Sequence, residues 1–425
     1  MGHKVNPERE YRLLQQRLDN MVTGAPDSPA LMQILRLLYT PEDAGFARRI
    51  PATPTPLETL ARRLEMPVDE LDGRISEMAA RGLLLDFYYR DRRFVMLPPV
   101  VVGFFEFVFM RAREDLPMAE IARLFDQYMR DDGKFARAVF GGETQLGRTL
   151  VHEEALPDGD HTEVLDWERA THLIGNAAAL GVSLCACRHK REHLGEACNK
   201  PMEVCLTLDG AAESMVRHGI ARGISNAEGL RIVEECKAAG LAQTGDNVQR
   251  NVTFICNCCG CCCGMMQAMK TFNLRNAIVT SNWVMEVDAE KCSGCGRCAQ
   301  ACPAEAIHLE EIQTNGKKRK RAVCEADLCL GCGVCYHVCK TGGIQLKARP
   351  QRVLTPENTF DRVVRMAIER GKLAPLIFSD PDRLSHRALG RMLGILENSP
   401  PWKAAMAVKP LRSAFLNRMV RLARP

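Results

Sequence analysis

One cysteine spacing occurs twice in this chain. Residues 292–303 read Cys292-x2-Cys295-x2-Cys298-x3-Cys302-Pro303, and residues 329–339 repeat the run as Cys329-x2-Cys332-x2-Cys335-x3-Cys339. Chance does not produce such a run twice, and the pair dictates a loop-rich module in which eight thiols converge on metal. Zinc does not explain the pattern, because four ligands close a tetrahedral zinc site without two interlocked runs. Gly294, Gly296, Gly331 and Gly333 stand between the cysteines, where the backbone must wrap tightly around a bulky group.

The chain holds 20 cysteines in 425 residues, none before Cys185 and none after Cys339. A secreted disulfide scaffold is usually short, with its cysteines spread along its length. Here they are packed into one stretch, several directly adjacent, so they are expected to be reduced thiolates in the cytoplasm. Met1 to Arg17 is charged throughout and has no apolar signal-peptide core. The run Phe94 to Phe105 contains Pro98 and Pro99 and is too short to span a bilayer. At 46% hydrophobic and 26% charged residues, the composition is that of a soluble globular protein. A net charge of +5 is too small for a whole-chain nucleic-acid binder. No GxGxxG and no Walker loop occurs, so no nucleotide or flavin site is expected.

The duplicated run resembles bacterial dicluster ferredoxins over residues 283–347. In such proteins the fourth cysteine of each run serves the other cluster. The resemblance therefore implies one [4Fe–4S] cluster on Cys292, Cys295, Cys298 and Cys339, and a second on Cys329, Cys332, Cys335 and Cys302. The second run continues as Lys340-Thr341-Gly342-Gly343-Ile344 and lacks the family's usual proline, which bears on the local turn and the potential. Between the runs, Ile307–Ile312 and Arg321–Val323 are predicted as hairpin strands around Asn315-Gly316. The tip carries Lys317, Lys318, Arg319, Lys320 and Arg321, readable as a solvated turn or as a docking patch for an acidic partner.

Residues 161–282 form a second cysteine-rich region, expected to be α/β. A helix is predicted over 166–179 and a short strand over 182–184. Then come Cys185, Cys187, Cys198 and Cys205, with Arg188, His189 and Lys190 supplying positive charge beside them. Ser225 is placed to cap a helix over 227–239 that Gly240 stops. The segment Cys256-Asn257-Cys258-Cys259-Gly260-Cys261-Cys262-Cys263-Gly264 follows. Adjacent side chains point apart, so these six thiols cannot all meet one metal, and some are expected to face the Cys185–Cys205 group. The Cys-Cys-Gly triplets resemble the cysteine-rich domain of heterodisulfide-reductase-type proteins, but the flanking spacing differs and that chemistry is not carried over. Residues 160–347 as a whole resemble a family of anaerobic 4Fe-4S binding proteins. The ten thiols Cys185, Cys187, Cys198, Cys205, Cys256, Cys258, Cys259, Cys261, Cys262 and Cys263 are thus candidate metal ligands. They are expected to hold one or two further iron–sulfur clusters, with zinc or metal-free thiol chemistry as alternatives. Cys236 reads as a buried hydrophobe, and Cys324 has no assigned role.

Upstream, residues 1–27 are expected to be a helix and linker. Residues 28–100 resemble a winged-helix domain in their order of helices followed by a two-stranded wing. The candidate recognition helix carries Asp69, Glu70, Asp72 and Glu77 against Arg74 and Arg81. DNA affinity comes chiefly from basic residues neutralising phosphates, so a docking role is expected and DNA is not. Residues 101–160 are expected to be a helical connector with an aromatic core segment at Phe104–Phe109. Residues 348–425 are expected to be a basic helical tail; the six basic residues after Ser399 face no acid, which fits packing on the protein itself, a partner subunit or anionic lipid. The fold class is multidomain α+β. The functional expectation is a low-potential electron-transfer protein of an anaerobic oxidoreductase system, serving redox partner proteins. A redox-sensing winged-helix regulator and a reductase with its own active-site cluster are the alternatives.

Overall fold

The computed structural model describes residues 7–156, 165–314, 317–378 and 384–397, with isolated positions to 406. The described residues form a mixed helix and sheet protein with several separate sheets and no barrel. Its described parts fall into two compact units. One comprises Met1–Val108, Arg113–Thr144 and Phe360–Pro425; the other comprises Phe109–Ala112 and Gln145–Thr359.

The first unit is mainly helical. Helices Pro29–Leu38 and Pro41–Ala47 open on side-chain caps, Ser28 to the Leu31 amide and Thr40 to the Asp43 amide. Strand β1 (Thr55–Pro56) precedes helices Leu57–Leu64 and Val68–Ala80, then β2 (Leu85–Tyr89) and β3 (Arg92–Met96). The three strands pair in the order β1-β3-β2. Residue spacing predicts one apolar face at Leu57, Leu60, Ala61 and Leu64, all buried, and a second at Val68, Leu71, Ile75 and Met78, of which Val68 at the helix start is exposed and the other three are buried. The aromatic segment is helical only over Phe105–Phe109; Val101, Val102 and Gly103 leave helical geometry just after Pro98 and Pro99. Residues 370–372 join this unit: Lys372 donates to the carbonyls of Asp19 and Met21, and Arg370 to those of Val22 and Val139. The stretch 360–378, expected as part of a tail, is therefore built into this unit. The predicted apolar stripe Leu411, Phe415, Met419 and Leu422, the Asn315-Gly316 tip and most of the 156–161 boundary lie outside the described residues.

The second unit holds every cysteine. Strands β4 (Gly147–Thr149), β5 (Leu180–Leu184), β6 (Glu203–Leu208), β7 (Arg222–Ile224), β8 (Ala242–Asp246) and β9 (Phe254–Cys258) form one antiparallel sheet in the order β4-β8-β9-β6-β5-β7. Because β4 belongs to this sheet, the unit's long segment begins at Gln145, whereas the cysteine-rich region is expected from 161. Ser225 caps helix Asn226–Ala238 through the Glu228 amide, as its position predicts. The helix expected over 166–179 is instead a short turn at Asp166–Glu168 and a helix at Ala170–Gly175. The cause is Glu168, whose buried carboxylate accepts from Arg148 on β4 and from Asn282, so that Arg169 is drawn into an extended conformation.

Two two-stranded sheets complete the unit. Strands β10 (Trp283–Val287) and β13 (Ile344–Ala348) pair antiparallel, as do β11 (Ile307–Thr314) and β12 (Lys317–Cys324). The hairpin is longer than predicted on both sides. Its charges explain the extension: Glu310 faces Arg321 and Glu311 faces Lys320 across the ladder, and opposite charges in register favour pairing.

Candidate metal centres

The two duplicated runs build two cavities. The first is lined by Cys292, Cys295, Cys298 and Cys339. The second, smaller one is lined by Cys302, Cys329, Cys332 and Cys335. Each cavity thus takes three thiols from one run and the fourth from the other, which is the crossed grouping implied by the ferredoxin resemblance. Backbone amides point at the sulfurs, Ala306 at Cys302 and Gly331 at Cys329. Such donors stabilise thiolate charge and tune a bound cluster. At the position of the missing proline, Lys340 and Thr341 line the first cavity, and the Thr341 hydroxyl lies 3.6 Å from Cys339 Sγ.

The cavities differ in access. Cys295 is exposed, and Cys292 and Cys339 are half-buried, whereas Cys329, Cys332 and Cys335 are all buried. The β11–β12 hairpin covers part of the outer site: Arg319 donates to the Cys292 carbonyl, and the Lys320 backbone packs on Gly294. Cys324, at the end of β12, was invisible to motif reading. Its thiol donates to Cys329, and this hydrogen bond pulls the Cys329 thiol down to about 6 despite burial. The signal that could have found it is the hairpin register, which pairs Cys324 with Ile307 beside the inner cavity.

The ten middle thiols separate into two groups. Six belong to the first. Alternation puts Cys256 and Cys258 on one face of β9, and Cys258 meets Cys256 and Cys263 and faces Cys185. Cys256 also meets Cys205 of the neighbouring β6, Cys263 meets Cys187, and Cys185 faces Cys187 and Cys205. Hydrogen bonds from Cys256 and Cys263 lower Cys258 to about 6, while burial raises Cys185. The Thr244 hydroxyl, 3.3 Å from Cys258 Sγ, adds a further partner.

The second group is Cys198, Cys259, Cys261 and Cys262, whose sulfurs all lie within 4.8 Å of one another. Cys198 is thus placed with the Cys259–Cys262 turn and apart from the thiols of its own motif. A hydrogen bond from Cys262 is the main cause that brings Cys259 down to about 4, with Arg188 assisting. Arg188 is fully buried, donates twice to the Asn257 carbonyl, and sits 3.6 Å from Cys259 Sγ. Its predicted partner in charge, His189, turns away to the Phe109 carbonyl. Gly260 lies against the backbone of Pro303, next to Cys302, so this turn adjoins the inner ferredoxin cavity. Cys236 is buried in the core of the middle sheet, as expected.

Residues 291–343 match the family described as 4Fe-4S dicluster domain. No curated protein and no solved structure matches the chain. The domain binds two [4Fe–4S] clusters, the equipment of one-electron transfer, and domains of this kind pass electrons to partner proteins. Among the described residues, no helix is long and apolar enough to cross a membrane.

Proposed function

We propose that this chain is a cytoplasmic, low-potential electron-transfer component of an anaerobic oxidoreductase system. The observation that carries the reading is the crossed lining of the two cavities, on a segment that matches a dicluster domain. In this assignment Cys292, Cys295, Cys298 and Cys339 hold one cluster, and Cys302, Cys329, Cys332 and Cys335 hold the other. Bound there, the clusters supply one-electron chemistry at potentials on the order of −400 mV. The protein's part is to hold them, to bury the inner set from water, and to present the outer set at the surface. The hairpin beside the outer set carries five basic residues over 317–321 against Glu310 and Glu311, which suits an acidic redox partner. The six-thiol group Cys185, Cys187, Cys205, Cys256, Cys258 and Cys263 has ligands to spare for a third iron–sulfur cluster.

Anaerobically purified protein is expected to contain about 12 iron and as much acid-labile sulfide, eight of each from the ferredoxin domain. Dithionite should bleach its visible absorption and give coupled [4Fe–4S]⁺ signals by electron paramagnetic resonance. Cys298→Ala should remove about 4 iron. Absence of iron, with zinc at the duplicated runs, would sink the proposal. A finer expectation concerns Cys324. Removing its S–H donor from Cys329 disfavours the more negative, reduced state, so Cys324→Ala should lower the midpoint of one ferredoxin cluster at unchanged iron content. Titration of both proteins side by side checks the direction.

Residues 28–100 serve as a winged-helix-like protein-docking module in this reading. The strand order β1-β3-β2 flanking two successive helices supports it, and side-chain pairing argues against DNA. On the candidate recognition helix, Arg74 lies over the Phe46 ring 4.1 Å from its centroid, and the Arg81 guanidinium at the helix end is held by Asp43. Arg93 of the wing is buried between Asp72 and Asp86. The guanidinium groups of Arg74, Arg81 and Arg93 are thus engaged within the protein in place of phosphates. Duplex DNA fragments from the upstream region should bind no tighter than non-specifically, weaker than about 1 μM at physiological salt; nanomolar, sequence-specific anisotropy changes would favour the redox-sensing regulator instead.

A further inference from the structure

Sulfur spacing separates the Cys198 group from every other thiol set in the protein. Cys198 and Cys259 sulfurs are 3.7 Å apart, Cys198 and Cys262 3.8 Å, and Cys261 and Cys262 3.7 Å. The remaining contacts, Cys259 to Cys261, Cys259 to Cys262 and Cys198 to Cys261, close the figure into a tetrahedron. A single zinc bonded to four thiolates at about 2.3 Å requires sulfur–sulfur edges of about 3.8 Å. A cubane interposes four separate iron atoms between its ligand sulfurs and drives them much farther apart. The protein supplies its own comparison: none of the eight cysteines around the ferredoxin cavities belongs to a group this tight.

We propose that Cys198, Cys259, Cys261 and Cys262 form a mononuclear tetrathiolate centre that holds one zinc ion. Four protein ligands leave no open position, which marks a structural site in place of a catalytic one. Thiolate softness and the place of zinc above iron in the divalent series favour zinc at such a site. The tetrathiolate carries two net negative charges once zinc is bound, and buried Arg188 stands 3.6 Å from Cys259 to offset part of them. The fold gives the ion a structural task. Cys198 lies in the loop between helix Ala186–Glu192 and β6, while the other three ligands form the turn after β9. That turn carries Gly260, which rests on Pro303, and Lys270 of the following helix Gly264–Phe272 bonds both the Gly260 carbonyl and Glu305. The ion would therefore pin two segments of the middle region at the place where they meet the ferredoxin domain. The centre is distinct from the six-thiol group, which remains for iron.

Metal analysis of the full chain, purified anaerobically and grown with both metals available, tests this. One zinc per chain is expected in addition to the cluster iron, and zinc-edge X-ray absorption should show four sulfur neighbours at about 2.3 Å with no nearby iron. Cys261 is exposed, so Cys261→Ser should leave the fold intact while replacing one sulfur neighbour by oxygen; the Cys198→Ser, Cys261→Ser double variant should lose the zinc and keep its iron and sulfide. Loss of a whole cluster's iron from the double variant would overturn the proposal, as would a chain without stoichiometric zinc. A high-spin ferric signal of a single iron in four thiolates, abolished in the double variant, would assign the site to iron and refute the zinc.

Discussion

Gly331→Val should empty the inner ferredoxin cavity. Gly331 adopts φ +65°, and a Cβ there would stand 2.1 Å from the Trp283 carbonyl oxygen and 2.3 Å from Ser281 Oγ. The first of these atoms is backbone at the start of β10 and cannot swing aside. The Ser281 hydroxyl meanwhile donates to the Gly331 carbonyl, so the loop and the strand are already drawn as close as they can come. A branched side chain in this left-handed conformation adds strain to the collision, and the loop must move. That loop carries Cys329 and Cys332, and the amide that bonds Cys329 Sγ is that of Gly331 itself. The expected result is loss of about 4 iron, with the outer cluster retained. Gly294→Val is the matched experiment, since its Cβ would stand 2.1 Å from the Lys320 carbonyl oxygen, and it should strip the outer cluster instead. Gly342→Val is the control: its φ is also positive, at +63°, but no atom lies within 4 Å of the added Cβ, so both clusters should stay. Iron content and the loss of spin–spin coupling in the reduced protein read out all three. Equal retention of iron by the first two variants would mean that close backbone approach does not shape these cavities.

The two ferredoxin cavities were legible because the cysteines that line them sit in contiguous runs whose spacing is a direct print of local loop geometry. The middle thiols were not, because their grouping depends on which strands become neighbours. Cys205 meets Cys256 only because β6 lies beside β9, a pairing across the sheet that no local spacing encodes. Likewise Cys198 follows Cys185 and Cys187 in the chain yet joins the turn after β9. Spacing alone leaves open whether Cys185, Cys187, Cys198 and Cys205 act as one set or some of them join thiols of 256–263, because closeness in sequence is not closeness in space. Cys324 was missed for a related reason: its proximity to Cys329 comes from the hairpin, whose length is set by cross-strand charge pairs. Helix periodicity did better in the first unit, where the buried face of 57–64 follows from residue spacing alone and that of 68–80 does so except at Val68, which the first turn leaves exposed. It failed at 166–179, where buried Glu168 is claimed by Arg148 and Asn282 and the local preference yields to an ion pair. The chain's return into its first unit at 360–378 left no trace in composition, since the contacts are side-chain donors to backbone carbonyls that any sequence offers.

Arg188→Met should disable both middle thiol groups at once. The guanidinium is fully buried and holds the Asn257 carbonyl with two nitrogens at 3.1 Å each, while a third contact reaches Cys259. Its charge is also felt by Cys185 and Cys258, so one side chain compensates thiolates of the six-thiol group and of the tetrathiolate together. Methionine restores the volume and none of the donors. The Asn257 carbonyl would be left without the arginine at the point where β9 separates Cys256 from Cys258, and the thiolate charge would stand uncompensated in the interior. Breaking a buried charged pair by removing one partner costs about 3–5 kcal/mol. For a unit of this size that corresponds to a fall in melting temperature of roughly 10 °C. Arg188→Lys should recover only part of the loss, because an ammonium cannot bridge a carbonyl and a sulfur as the planar guanidinium does. The metal pattern distinguishes this role from plain packing: zinc and the third cluster's iron should fall together, while the eight ferredoxin irons and their reduced spin signals stay. A variant that melts early with all its metals in place would reduce Arg188 to a core-packing residue with no hold on the thiols.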